Sequence, residues 1–180
     1  MVNVLGVVGG PEPGGRTATA VAGVLAGAAK GGATTSLLEL SEAGVEAVVA
    51  AIEAADAVVF GSPVFRATYS ALLKDLLERT ERGKWGEKTA PLQGKAAATV
   101  ITGASGHHFH AVSDLRDVLA GFFAVQVLSP GLYFDHGNYV DRNTLNEDSA
   151  ALAAAHGAAL ADLATAVRAS GALQAITPQI

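Results

Sequence analysis

Ala57-Val58-Val59-Phe60-Gly61-Ser62-Pro63-Val64-Phe65-Arg66-Ala67-Thr68-Tyr69-Ser70 runs from strand through loop to helix without a break. Ala57 to Phe60 is a short apolar, β-rich run that ends at a glycine. A loop with one rigid proline follows. Tyr69 to Leu77 then reads as helix, and the whole helical pattern covers Ser70 to Glu81, with Leu72, Leu73, Leu76 and Leu77 on one side. The loop therefore lies at the carboxyl end of a strand, the edge where open α/β sheets bind ligands. It offers backbone N–H groups, the Ser62 hydroxyl and the Phe65 ring, and little acid–base chemistry. Those groups suit holding a flat molecule better than attacking a bond.

Working outward, the same alternation repeats. Val2 to Val8 is a buried strand closed by Gly9-Gly10-Pro11. Residues 16–29 carry Val21, Val24 and Leu25 at helical spacing and stop at Gly31-Gly32. Thr34 to Leu40 alternates as a second strand, and residues 44–55 look helical. Lys95 to Ile101 is strand four, and His107 to Phe123 a helix. Val125 to Phe134 holds strand five, bent at Pro130-Gly131. A polar loop at Asp135 to Asn143 leads to the last helix, Leu145 to Arg168. Between helix and strand, residues 82–94 form a polar loop holding Trp85, which reads as a cap on a pocket or interface, or as packing beneath its loop. Strands alternating with helices demand a parallel sheet covered on both faces, in α/β class. Right-handed crossovers leave the five-stranded order 2-1-3-4-5 of a flavodoxin-like three-layer sandwich as the expected topology. One domain is expected over residues 1–170, with 171–180 a loose C-terminal tail.

Composition narrows the class. The 180 residues suffice for a full core, half are apolar and 16% are charged. The net charge of −5 is mild and points away from a nucleic-acid partner. With no cysteine, disulfide and thiol chemistry are excluded. The apolar runs are alanine-rich and interrupted, short of the roughly 20 residues of a membrane span. No basic leader precedes the first strand, so the expectation is a cytoplasmic enzyme or carrier with no membrane partner.

Strands one, three and four adjoin at the switch point, so the loops after them should converge. Loop one, Gly9-Gly10-Pro11-Glu12-Pro13-Gly14-Gly15-Arg16-Thr17, enters a helix N-terminus, where free N–H groups attract phosphate. Arg16, Thr17 and Thr19 could add charge and hydrogen bonds. The alternative is a turn with Arg16 solvated, since neither a P-loop lysine motif nor GxGxxG is present. Loop two has its own plain alternative, an ordinary connection with Phe65 packed on the core. Loop three is Thr102-Gly103-Ala104-Ser105-Gly106-His107-His108. Adjacent histidines on a helix point about 100° apart, and His107 and His110 share a face without a third ligand at obvious spacing, so no metal site is assigned. Ser62 lacks a base and an acid, so no catalytic triad is assigned either. Asp135-His136 and Asp141-Arg142 read as loop surface.

These residues carry a resemblance. GSPVFRATYSALLKDLL, residues 61–77, resembles the second flavin loop and following helix of NAD(P)H-dependent FMN reductases with a flavodoxin-like fold, which often read near G/T-x-P-V-Y-x-x-x-Y-S-x-x-L-K. GGPEPGGRT stands at the place of that family's phosphate loop, often GSPRxxSRS. TGASGHHFHAV resembles loop three of the reductases that serve two-component flavin monooxygenases. The likeness runs from Val2 to about Phe134. It implies FMN as cofactor, NADPH or NADH as hydride donor, a homodimer or homotetramer, and a partner monooxygenase. A flavodoxin-type electron carrier, a quinone or azo reductase with held FMN, and a flavin-free module are the other readings.

By the resemblance, Gly10 to Thr17, Gly10 and Pro11 included, would wrap the FMN phosphate, with Arg16 and Thr17 the best side-chain contacts. Ser62, Pro63, Val64 and Phe65 would line the ribityl chain and ring. Thr102, Gly103, Ser105 and Gly106 would flank the ring's far edge. Tyr69, Leu73 and the helices after loops two and three would help build the oligomer interface. The chain also departs from the pattern. Gly10 and Gly15 stand where serines are common, Glu12 where arginine is, and Phe65 where tyrosine is. The changed loop one implies weaker FMN binding. The stretch Ala111 to Arg116 lacks the tyrosine associated with a π-bulge in the alkanesulfonate-type reductases, so a regular α-helix is expected there, which leaves room for a reductase that keeps its flavin.

Overall fold

In the computed structural model, which describes residues 1–179, a twisted parallel sheet carries helices on both faces. In chain order the elements are β1 (Asn3–Val8), α1 (Gly15–Lys30), β2 (Thr34–Glu39), a one-turn α2 (Leu40–Ala43), α3 (Val45–Ala54), β3 (Ala57–Phe65), β4 (Thr68–Tyr69) and α4 (Ala71–Arg79). Then follow β5 (Ala96–Thr102), α5 (Ala111–Asp117), β6 (Gln126–Val127), β7 (Leu132–Phe134), β8 (Tyr139–Asp141), β9 (Thr144–Leu145), α6 (Glu147–Ala169) and α7 (Gly171–Gln174). The parallel order is β2-β1-β3-β5, with β6 and β7 both paired to β5. This is the expected flavodoxin-like topology. Its fifth strand is broken in two around a cis Ser129–Pro130 bond, so β6 pairs with Ala96 and Ala97, and β7 with Val100 to Thr102.

The strands read as near-continuous apolar runs because both faces are covered. Leu5 and Val7 join the core under α3, α4 and α5 with Phe60, Leu73, Leu76 and Leu115. Val4 and Val8, on the opposite pleat, join the core under α1 and α6 with Val21, Val24, Leu160 and Phe134. The second core is built from smaller residues, and its helices approach closely. A Cβ on Gly27 would lie 2.5 Å from the Ala154 Cα, and one on Gly157 would lie 2.6 Å from the Ala28 nitrogen. Only glycine at both positions permits that contact. By length and composition α6 could cross a membrane, a candidate that the sequence expectation did not register. Its alanine–glycine face is instead taken up by α1.

Several expectations are corrected. Tyr69 and Leu73 are buried core residues, so neither is at a surface where it could meet another subunit. The helix expected over His107–Phe123 is split. A 3-10 turn covers Gly106–His108, regular helix covers Ala111–Asp117, and a π-turn covers Val118–Phe122. The Ala111–Arg116 stretch is regular α-helix, and the widened turn lies just beyond it. Trp85 is 85% exposed with φ 57°, neither beneath its loop nor over a cavity. That loop is organised by carboxylates: Glu87 accepts the N–H groups of Arg82 and Lys84, and Glu81 those of Lys88 and Thr89. Of the segment read as a loose tail, Gly171–Gln174 is helix capped by the Ser170 hydroxyl, and Pro178 is buried. Ile180, the end of that reading, lies outside the described residues.

Candidate functional site

β3 outgrows its neighbours, and this shapes the site. β1 ends where Val8 pairs with Gly61, whereas β3 continues against β5 to the pair Pro63↔Thr102. On the β1 side no strand remains to accept a hydrogen bond from residue 63, so proline is tolerated there. The chain then reverses through Arg66 and Ala67, both left-handed with φ of 51° and 70°, and returns as β4 with Val64 opposite Tyr69. Two consecutive positive-φ residues match the twist of a tight hairpin, usually at the cost of asparagine or glycine. Loop two is thus a hairpin rather than the irregular connection expected from sequence.

Buried hydroxyls fasten its base. Ser62 accepts the Ser70 N–H at 2.8 Å and donates to the Pro63 carbonyl at 2.9 Å. Ser70 caps α4 through the Leu73 N–H and donates to the Gly9 carbonyl. Loops one and two are therefore bonded to each other. Below them Thr17 and Thr102 share a buried hydroxyl–hydroxyl hydrogen bond of 2.6 Å, which ties α1 to the end of β5. Loop three is held by the Gly103 N–H on the Phe134 carbonyl and by the Tyr133 hydroxyl on the Ser105 carbonyl.

Between the three loops lies a cleft of about 410 Å³. Its lining includes Gly10, Pro11, Arg16, Thr17, Pro63, Val64, Phe65, Thr102 and Gly103. Three residues named from the resemblance stand apart from it. Ser62 is fully buried at the hairpin base, and Ser105 and Gly106 lie beyond the lining. Phe65 is 49% exposed at the rim, so it does not pack on the core. Glu12 of loop one and Ala104 of loop three also line the cleft, as do His136 and Arg142, which were expected as loop surface only. Among the described residues no group of three potential metal ligands occurs.

One end of the cleft gathers charges of both signs, Arg16 and Arg142 with Glu12. Arg16 stands in the first turn of α1, and the first N–H groups of a helix have no intrahelical acceptor. The Gly14 N–H is already taken by the Glu39 carboxylate, at 2.8 and 3.0 Å to its two oxygens. The Arg16 guanidinium lies 5.7 Å from the Tyr139 ring centroid, and the Tyr139 hydroxyl donates to the Arg16 carbonyl at 2.9 Å. Burial pushes the Tyr139 phenol well above its ordinary value, with the Arg16 charge pulling weakly the other way. The Arg16 Nε is buried without a hydrogen-bond partner. An orphaned guanidinium N–H beside a helix N-terminus fits an anionic oxygen. Pro63, Val64 and Phe65 give the cleft an apolar and aromatic wall. The donor set thus fits a phosphorylated planar molecule such as FMN.

The chain folds like an NADH:FMN oxidoreductase solved in its apo form, with TM-score 0.78 and 19% identity over 97% of this chain and 94% of that one. It also resembles a WrbA-like flavodoxin from Agrobacterium tumefaciens (TM-score 0.72, 22% identity, 92% and 99% covered). A third likeness is to a flavone reductase (TM-score 0.75, 19% identity, 93% and 64% covered). At these identities the likeness establishes the fold. No curated protein sequence matches the chain. The sequence model of the NADPH-dependent FMN reductases matches residues 2–139, a span that holds all three loops, and the chain belongs to that family of flavin oxidoreductases.

Proposed function

We propose that this protein is an NAD(P)H-dependent flavin reductase that binds FMN in the three-loop cleft. The observation that carries the reading is the pairing, in one cleft, of an orphaned Arg16 Nε at the α1 N-terminus with the Pro63–Phe65 wall. FMN, when bound, supplies the acceptor for a hydride from reduced nicotinamide. The protein's part is binding and placement. Arg16 and the α1 N–H groups hold the phosphate end. The β3–β4 hairpin, stiffened by Ser62 and Ser70, presents Val64 and Phe65 to the ring. Gly103 and Ala104 close the far side. No side chain in the cleft is needed as acid or base, because hydride transfer between bound partners depends on distance and orientation.

The likeness of loop three to reductases of two-component systems supports an extension of this reading. There the protein is a cytoplasmic homo-oligomer that passes reduced FMN to a partner monooxygenase. The test is an anaerobic titration with FMN, followed by NADPH or NADH, read by the visible flavin absorbance. Bleaching much faster than in a protein-free control is expected. Binding without reduction by either nucleotide would make the protein a carrier, and no binding would sink the flavin reading.

A further inference from the structure

The β8–β9 hairpin begins at Tyr139, where the family match ends, and its tip reaches the α1 end of the cleft. It pairs Tyr139 with Leu145 and Asp141 with Thr144, and Asp141 accepts the Asn143 N–H at 2.8 Å. Asn146 and Asn138 bind it to the start of α6 and to Gly137. The tip residue between, Arg142, lines the cleft beside Gly15. A Cβ on Gly15 would lie 3.1 Å from the Arg142 Nε and 3.2 Å from its Nη2. Gly15 is also left-handed, with φ 79°. Glycine at residue 15 therefore leaves the guanidinium room over the first turn of α1, where a Cβ would press it aside by a few tenths of an ångström.

The Arg142 charge is only loosely matched. Among the described residues its one ion-pair contact is with Glu12, at 3.9 Å, and the two side chains are 61% and 82% exposed. A pair so long and so solvated contributes little, and a dianionic phosphate is a stronger partner.

We infer that Arg142 is a phosphate-binding residue for the flavin, supplied from the β8–β9 hairpin and admitted by Gly15, so that this protein selects FMN over unphosphorylated riboflavin with two guanidinium groups, Arg16 and Arg142. The inference rests on the flavin reading above. The experiment measures FMN and riboflavin dissociation constants, by quenching of flavin fluorescence, for the wild type, Arg142→Ala and Arg142→Lys. Arg142→Ala should weaken FMN by about tenfold or more, the range for a lost charge-assisted hydrogen bond, and leave riboflavin within about twofold. Arg142→Lys should fall between, because it keeps the charge without the fork. Added salt should weaken FMN less in Arg142→Ala than in the wild type.

Because Arg142 is exposed, the variant is expected to fold, and its melting temperature checks this. Equal loss of FMN and riboflavin would mean that the hairpin merely shapes the cleft and would overturn the inference. So would unchanged FMN affinity, including the case where only the KM for the nicotinamide rises. A wild type that binds neither flavin would instead overturn the flavin reading itself.

Discussion

The two sides of the cleft are built by different physics. The β3–β4 side is fixed by buried hydroxyls. Ser62 and Ser70 hold the hairpin base and the α4 cap, and Ser70 reaches the Gly9 carbonyl. The α1 side is governed by charge, with Arg16, Arg142, Glu12 and Glu39 around backbone N–H groups and few direct bonds between them. A buried hydrogen bond is costly to leave unmade, so polar residues of the first side act on stability. Solvated charges contribute little to folding and are free to act on a ligand. A hydroxyl near a binding cleft is therefore not by that fact a ligand contact, and a surface arginine is not by that fact idle.

The comparison breaks most sharply at Ser70. Ser70→Ala removes the α4 cap and strands the Gly9 carbonyl and Leu73 N–H. It should cost about 2–4 kcal/mol of stability, summing a cap and an unsatisfied buried group. Chemical denaturation checks this, and a loss below about 0.5 kcal/mol would show that water replaces both bonds. Arg16→Ala should do the reverse. FMN binding should weaken by about 1.5–3 kcal/mol, the range for a hydrogen bond to a charged group, with little change in unfolding. Unchanged FMN affinity would remove Arg16 from the phosphate site.

Tyr139 joins the two behaviours, because its buried hydroxyl holds the carbonyl of the ligand-facing arginine. Tyr139→Phe should cost about 1 kcal/mol at neutral pH. It should also alter the alkaline limb of stability. Burial raises the phenols of Tyr69, Tyr133 and Tyr139 above their ordinary value. Below about pH 10, both folded and unfolded chains keep those protons and the contribution is complete. Above it the unfolded chain releases protons that the folded chain retains, so stability falls as pH rises toward the folded values. The decline should be shallower in Tyr139→Phe. Equal slopes in the two proteins would mean that Tyr139 ionises freely in the fold.

Much of the fold was legible because its cause is local. The valine-rich β1, the Leu73–Leu76–Leu77 face of α4 and the glycines after strands one and three mark period and punctuation within a few residues. The fifth strand and its bend at Pro130-Gly131 were legible, though not its division into two separate pairings with β5. The β3–β4 hairpin was missed because Arg66-Ala67 lacks the asparagine or glycine that usually signals such a turn. The α7 helix and the buried Pro178 were missed because a four-residue helix is too short to show a hydrophobic period until it has a surface to pack on.

For the site, strand order brought loops one, two and three to one edge, because parallel topology gathers the same ends of neighbouring strands, and the family resemblance named Arg16, Thr17, Pro63, Val64, Phe65, Thr102 and Gly103 within them, all of which line the cleft. What each side chain does there was not so determined. Ser62 faces the core because the hairpin turns it inward, and the Thr17 hydroxyl is engaged by Thr102 across 85 residues of chain. Arg142 reaches Gly15 over a still longer separation. Sequence alone settled the alternation of elements, the parallel sheet and the edge at which loops converge, since periodicity and connection handedness act along the chain. Which hydroxyls bond, which charges remain unmatched and which hairpin overhangs the cleft were settled only by tertiary packing, because those partners meet through space.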